Sequence, residues 1–202
     1  MSISLEKGQK VSLSKEHAGL DKIMLGLGWD EVSKNNKKGG FKALLSNMAT
    51  QSVDCDASAI LLTDNKYASK QDIVYYGNLR HNSKSVVHQG DNLTGAGEGD
   101  DEQIMIQLSK VPSTYNKIVI IVNIFQAVTK RQHFGMLTNA FIRLVDCRNN
   151  TEICKYQLTE QYDGMTAMIF GEVYRDHGEW KFTALGQATK DPDISALCKR
   201  FM

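Results

Sequence analysis

Residues 165–185 read MTAMIFGEVYRDHGEWKFTAL and contain the clearest structural signal in this sequence. The two flanking segments, 165–174 and 179–185, are rich in β-branched and aromatic residues, which favour extended strands. Between them, Asp176-His-Gly178 has the composition of a tight turn. The pattern predicts a β-hairpin and therefore a domain that contains antiparallel strands.

The same alternation of strand and turn extends through the rest of the chain. Seven further strands are predicted at Lys22–Trp29, Val53–Leu62, Asp72–Tyr76, Gln103–Leu108, Ile118–Phe125, Gly135–Val145 and Glu152–Leu158. The nearly continuous β-branched run from Ile118 is typical of a central strand. About nine or ten strands at this spacing favour an all-β fold, either a sandwich or a barrel.

Helical patterns occur in two places. The basic, glycine-containing segment 31–52 is interpreted as a surface insertion, in which residues 41–48 have the pattern of two helical turns. Residues 191–202 are predicted to form a C-terminal helix with Asp191 as its N-cap and Pro192 at the first helical position. Four apolar residues then recur at the spacing of one helical face: Ile194, Leu197, Cys198 and Phe201. We expect this face to cover an open end of the β core.

The composition is that of an ordinary soluble globular protein, with 42% hydrophobic residues, 23% charged residues and a formal net charge of +1. The near-neutral charge argues against a nucleic-acid-binding module. No apolar run has the length of a membrane span, and the N-terminus carries no secretory signal pattern. The four cysteines form no CxxC pair. They are interpreted as reduced thiols of a cytoplasmic protein.

One acidic loop stands out against this neutral background. Residues 90–102 read GDNLTGAGEGDDE and carry five carboxylates but no base: Asp91, Glu98, Asp100, Asp101 and Glu102. Crowded carboxylates repel one another unless a cation lies between them, and the interspersed glycines let the backbone turn its carbonyls inward. Oxygen ligands on a pliable frame suit Ca²⁺, whereas the lack of nearby His or Cys disfavours zinc and copper. We therefore predict a calcium site here, and the predicted ligands include Asn92 and Thr94.

The loop does not fit two other motifs that it superficially resembles. Numbering an EF-hand from Asp91 places Leu93 and Gly95 where side-chain oxygens are required, and Ala96 where glycine is required. A phosphate-binding loop would need a lysine followed by Ser or Thr after the glycines. A solvated acidic turn without a metal is the remaining alternative.

A second acidic pair lies in a predicted strand, Asp54-Cys-Asp-Ala-Ser58. Side chains alternate along a strand, so Asp54, Asp56 and Ser58 share one side while Cys55 and Ala57 share the other. Aspartate is unfavourable in strands. The two carboxylates are interpreted either as part of a solvent-exposed face or as ligands that complete the coordination of the glycine-rich loop.

These motifs together resemble the TerD family, the calcium-binding tellurite-resistance and stress proteins of bacteria. Besides the two acidic segments, the similarity includes Gly26-Leu-Gly-Trp-Asp30, Ala140-Phe-Ile-Arg143 and Gly171-Glu-Val-Tyr-Arg175. The resemblance implies a single domain over residues 1–202, a β-sandwich of two sheets, and calcium held by acidic loops at one end. It also implies a role in tellurite resistance and general stress, without an assigned reaction.

Three classes of function follow from these residues. The resemblance favours a calcium-dependent binding or scaffold module that acts with other proteins of the same stress system and is not an enzyme. The alternative is a metal-dependent hydrolase or phosphoryl-transfer enzyme that uses Asp100 and Asp101, although no pattern supplies a nucleophile or a general acid. Direct tellurite binding would need clustered thiols, and the cysteines are dispersed in sequence. The five histidines show no ligand spacing and are interpreted as surface or structural residues.

Overall fold

The computed structural model describes residues 2–31, 52–90, 99–158 and 162–202. These ranges contain twelve strands: β1 (Ile3–Leu5), β2 (Lys10–Ser12), β3 (Lys22–Glu31), β4 (Cys55–Leu62), β5 (Ile73–Val74), β6 (Val86–His88), β7 (Glu102–Gln107), β8 (Lys117–Ile124), β9 (Leu137–Asp146), β10 (Thr151–Gln157), β11 (Ala167–Asp176) and β12 (Glu179–Thr189). They also contain two short helices, α1 (Ala127–Lys130) and α2 (Ile194–Cys198). Four 3₁₀ turns complete the secondary structure: Lys70–Asp72, Leu108–Lys110, Phe134–Met136 and Lys199–Phe201. The predicted all-β class is confirmed.

The strands form two six-stranded sheets. The first has the order β1-β10-β9-β3-β7-β6, and the second has the order β2-β12-β11-β8-β4-β5. Among the described pairs, β1 and β10 are parallel and the others are antiparallel. The predicted hairpin is confirmed as β11–β12, and its turn residues His177 and Gly178 have φ values of 51° and 81°. Positive φ at both positions is what a two-residue type I′ turn requires.

One apolar core is formed from the inner faces of both sheets. On β4 the alternate residues Cys55, Ala57, Ala59 and Leu61 belong to this core. On β8 the matching row is Ile118, Ile120, Val122 and Ile124, and the two strands pair in register. The predicted sandwich of two sheets is therefore confirmed, and β4 and β8 lie side by side inside the second sheet.

The outer face of the second sheet carries a separate apolar cluster that helix α2 joins. Ile60 on β4 and Ile121 on β8 belong to it together with Leu197 and Cys198 of the helix. Ile194 and Phe201 pack against the same cluster, so the predicted apolar face of the helix is confirmed. The helix covers the outer face of a sheet and not an open end of the core, because β4 and β8 are apolar on both sides.

Helix α2 begins later than the predicted range 191–202. Its N-cap is Asp193, whose Oδ1 accepts a hydrogen bond from the Ala196 amide at 2.7 Å. The predicted cap, Asp191, accepts instead from Thr189 Oγ1 at 2.6 Å and from Arg200 Nε at 2.7 Å. Both aspartates can cap a helix, but Asp191 is held near the end of strand β12, so the helix starts two residues nearer the C-terminus.

Most of the predicted insertion 31–52 lies outside the described residues. Strand β3 ends at Glu31, and the description resumes at Ser52. The helical turns predicted at residues 41–48 fall within the range that is not described. In the parts of the chain that the structure describes, no helix has both the length and the apolar character needed to cross a membrane.

Candidate metal centre

At one end of the sandwich, Trp29 connects the acidic segments that precede β4 and β7. The Trp29 amide donates to Asp101 Oδ2 at 3.0 Å, and its indole Nε1 donates to the Val53 carbonyl at 3.3 Å. The Asp101 amide in turn donates to the Leu27 carbonyl at 2.7 Å. Because Trp29 is buried, these bonds fix both acidic segments against the end of strand β3.

Asp101 is a partly buried carboxylate whose surroundings favour a cation. Burial raises its pKa, the hydrogen bond from the Trp29 amide opposes this rise, and the nearby charges of Asp30, Asp100 and Glu102 add to it. A carboxylate in such surroundings is costly to keep ionised, and a bound cation would offset that cost. The donors here are oxygens, which fit the preference of Ca²⁺.

A cleft of about 400 Å³ opens beside Asp101. It is lined by Trp29, Asp30, Gly99, Asp101, Asn139, Phe141, Lys155 and Gln157. Asn139 Nδ2 donates to Asp30 Oδ2 at 2.8 Å, and Lys155 Nζ lies 3.7 Å from the centre of the Phe141 ring. The cleft therefore has carboxylates and an ammonium group around it and gives access to Asp101 from solvent.

Asp100 is engaged on the outer face of the first sheet. Its Oδ1 accepts from Arg143 Nε at 2.7 Å and its Oδ2 accepts from Arg143 Nη2 at 3.0 Å. Its side chain is only 1% exposed. It lies over Gly26 of β3, where an added Cβ would be 2.2 Å from Asp100 Cγ. Two consecutive aspartates that were predicted as similar ligands therefore have different surroundings.

Glu102 points into the interior of the sandwich and pairs with His88. The Nε2 atom of His88 lies 2.8 Å from Glu102 Oε2 and 3.2 Å from the Ala57 carbonyl, and both side chains are 1% exposed. His88 pairs in register with Ile104, so it lies diagonally across from Glu102 on the same face. Sequence reasoning missed this contact, because the strand alternation of Val86-Val-His88 indicates a face but not a partner.

Asp54 and Asp56 lie on the outer side of the second sheet, opposite the core residues Cys55 and Ala57. The alternation predicted from the sequence is confirmed. The interpretation of this side as a solvent face is wrong, because Asp54 and Asp56 are only 7% and 3% exposed. Asn123, the partner of Asp56 in the β4–β8 register, donates from Nδ2 to Asp56 Oδ2 at 3.3 Å.

The Cys55 thiol shows that the two acidic segments lie near one another. Burial raises its pKa well above the usual range, and Asp56, Asp54, Glu102 and Asp101 raise it further. Charges from both segments therefore act on a single buried sulfur atom. This proximity agrees with the hypothesis that the strand aspartates and the loop belong to one end of the fold.

Four of the nine predicted ligands lie outside the described residues: Asp91, Asn92, Thr94 and Glu98. Within the described ranges, no group of three or more His, Cys, Asp or Glu side chains is arranged to hold a metal ion. Asp100 and Glu102 point to opposite faces of the first sheet. The convergence of all nine ligands on calcium therefore stays a prediction.

The fold places the protein in a known class of β-sandwich. A solved structure described as a homologue of telluride resistance protein (TerD) from Streptomyces coelicolor A3(2) superimposes with a TM-score of 0.64 at 15% identity, covering 89% of this chain and 96% of that chain. At this identity the likeness establishes the fold alone.

The family follows from the sequence comparisons. The sequence profile of the TerD domain matches residues 1–201, and the chain belongs to this family. It is 48% identical over 202 residues to stress response protein SCP2 of Bacillus subtilis (strain 168), covering 100% of both chains. It is 46% identical over 202 residues to tellurium resistance protein TerD of Serratia marcescens, covering 100% of this chain and 97% of the relative. The resemblance noted from the motifs is thus confirmed, and the family is one of tellurium resistance and stress response proteins.

Proposed function

We propose that this protein binds calcium through the loop 90–102 and acts as a calcium-dependent binding or scaffold module in a stress response of the tellurite-resistance type. The observation that carries the proposal is the Asp101 carboxylate. It is partly buried among Asp30, Asp100 and Glu102, and its pKa is raised by burial. Such a group gains most from a cation, and the neighbouring loop supplies further oxygen donors on a glycine-rich backbone.

The biological setting of the proposal comes from the relatives. Proteins at 46% and 48% identity over the whole chain are named for tellurium resistance and for stress response. We propose that the partners are other proteins of the same stress system and that the protein acts in the cytoplasm. In this view Ca²⁺ offsets the repulsion among the carboxylates of the acidic segment, and binding of the partner depends on that ion.

We propose a binding role without catalysis. Metal-assisted hydrolysis needs a carboxylate that is free to orient or deprotonate water. Asp100, one of the two candidates for that task, has both oxygens bonded to Arg143. The hydrolase alternative therefore gains no support from the site, and the relatives are named for resistance and stress response.

Isothermal titration of chelator-stripped protein with Ca²⁺ tests the proposal. Asp101→Asn should weaken binding by at least tenfold, which corresponds to about 1.4 kcal/mol. Asp64→Asn is the matched control, because Asp64 is exposed and follows the end of strand β4 that is opposite Asp54. Its affinity should equal that of the wild type. Absence of heat from the wild-type protein at millimolar Ca²⁺ would end the calcium proposal.

A further inference from the structure

We propose that Arg143 is a positioning residue for the calcium site. By clamping Asp100, it holds the adjacent Asp101 in the orientation that binds the cation, and Asp100 itself is not a ligand. This inference rests on the proposed calcium function and names two roles within it. Asp100 anchors the end of the loop, and Arg143 is the partner that makes the anchor possible.

Arg143 and Asp100 form a bidentate ion pair. Two parallel bonds of 2.7 Å and 3.0 Å join the guanidinium to both oxygens of Asp100. The Arg143 side chain is 31% exposed while that of Asp100 is 1% exposed, so the aspartate is the buried member. A buried carboxylate that is saturated in this way has little surface left for a metal ion.

The clamp extends across several strands of the first sheet. Arg143 lies on β9 opposite Gly26 of β3, and its Nη1 also lies 3.4 Å from Glu152 Oε2 on β10. Gly26 leaves the space that Asp100 occupies. One guanidinium therefore ties the segment before β7 to strands β9 and β10 across β3.

The position of Asp101 depends on this anchor because the two residues are consecutive. On one side the Asp100 side chain is held by Arg143. On the other side the Asp101 amide bonds to Leu27 and its carboxylate accepts from Trp29. Arg143 also places a positive charge against the Asp100 carboxylate, which offsets part of its repulsion toward Asp101. The clamp thus sets both the direction and the electrostatic environment of Asp101.

Calcium titrations of Arg143→Met, Asp100→Asn and the double variant test the assignment. The double variant removes one positive and one negative charge, so the net charge is unchanged. A loss of affinity in this variant therefore reports the position of Asp101 and not a change in long-range attraction for Ca²⁺. Loss of an outer partner that orients a metal ligand typically costs ten- to a hundredfold in affinity. We expect each of the three variants to bind Ca²⁺ about tenfold more weakly than the wild type, with no additional loss in the double variant.

If Asp100 is itself a calcium ligand, the expected change in calcium affinity is the opposite for one variant. Arg143→Met would then free a carboxylate and bring an additional negative charge to the site, so Ca²⁺ would bind as tightly as before or more tightly. That result would overturn the positioning role. Arg143→Lys should recover part of the affinity, because a lysine keeps the charge but cannot form both bonds.

A second arginine–aspartate pair in the same sheet supplies the control. Arg148 Nε and Nη2 bond to the carboxylate of the buried Asp146, which pairs in register with Ile23, away from Trp29. The double variant Arg148→Met with Asp146→Asn should lose stability but keep the wild-type calcium affinity. An equal loss of calcium affinity in both double variants would mean that Arg143 affects binding only through overall stability, and it would overturn the inference.

Different results would overturn the calcium function and the positioning role of Arg143. A wild-type protein that binds no Ca²⁺ would overturn the calcium function and, with it, the role of Arg143 toward the ion. A wild-type protein that binds Ca²⁺, together with an Arg143/Asp100 double variant that binds it equally well, would overturn the positioning role alone.

Discussion

At the scale of single residues, Asp100 and Asp101 show how differently two adjacent carboxylates can behave. Asp100 is compensated by two bonds from Arg143. Asp101 accepts a hydrogen bond from the Trp29 amide, and burial and three neighbouring acids raise its pKa. Neutralising each residue in the metal-free protein should therefore have effects of opposite sign.

For Asp101→Asn we expect equal or higher stability of the metal-free protein at pH 7. The pKa of Asp101 is higher in the folded state than its ordinary value of 3.8. Its favourable contribution is therefore present below the unfolded pKa and is lost as the pH rises through the folded pKa. At pH 7 the ionised group destabilises the fold, and asparagine removes that cost. Urea unfolding in EDTA at pH 7 and at about pH 3 should show the gain only at pH 7.

For Asp100→Asn we expect a loss of about 1–3 kcal/mol at pH 7, because charge-assisted hydrogen bonds to Arg143 are removed. The same urea titrations measure it. If both variants shift stability in the same direction, the distinction between an aspartate paired with arginine and an aspartate with a raised pKa is wrong.

The sequence predicted the acidic end but not this distinction. Charge density and glycine spacing identify the loop, whereas the direction of each side chain depends on residues far along the chain. Arg143 is 43 positions from Asp100, and Trp29 is 72 positions from Asp101. Neither partner can be paired with its aspartate from local pattern alone. The contact between His88 and Glu102 was missed for the same reason.

At the scale of elements, strand β3 depends on a glycine that lets Asp100 approach. Gly26→Ala would place a Cβ 2.2 Å from Asp100 Cγ, a distance that real contacts do not reach. We expect it to displace Asp100 from Arg143 and to weaken both stability and calcium binding. Adding Asp100→Ala to Gly26→Ala should restore part of the stability, because the clash is removed. Thermal melts of the single and double variants measure both effects. A double variant with no higher Tm than Gly26→Ala would contradict the expectation.

Helix α2 should contribute to global stability through the outer cluster of the second sheet. Leu197 is fully buried there, so Leu197→Ala is expected to lower the free energy of unfolding by about 2–5 kcal/mol. The exposed Ser195 in the same helix gives a matched control, since Ser195→Ala should change stability by less than about 0.5 kcal/mol. Equal effects in chemical denaturation would mean that the helix is not integrated with the sheet.

Alternation and turn residues located the long strands and the short strand β5, but not β1, β2 and β6. The hairpin β11–β12 and the central strand β8 follow from alternation and turn residues. Strands β1, β2 and β6 are three residues each, which is too short for a period to be seen. The choice between Asp191 and Asp193 as helix cap depended on where β12 ends, and sequence alone does not give that position.

At the scale of the whole molecule, calcium should stabilise a fold that already exists. The apolar core joins both sheets and includes residues far from the acidic end, so the metal-free protein should remain folded. At about 100 times Kd one ion adds roughly 2.7 kcal/mol, on the order of 5–10 °C in Tm for a chain of this size. Melting curves with Ca²⁺ and with chelator measure the shift, and an Asp101→Asn variant that binds at least tenfold more weakly should lose about half of it or more. An unchanged Tm at saturating Ca²⁺ would contradict the expectation.

The pairing of the first strands with the last ones has a consequence for how the protein is made. Strand β1 pairs with β10, and β2 pairs with β12, so two strands wait for partners that are synthesised much later. At ordinary elongation rates the wait between β2 and β12 is roughly ten to thirty seconds. During that time apolar strands with open edges are exposed to every other nascent chain nearby. The two sheets are therefore completed only after β12 has been synthesised, and chaperones that hold unfinished chains have time to engage the protein in each round of synthesis.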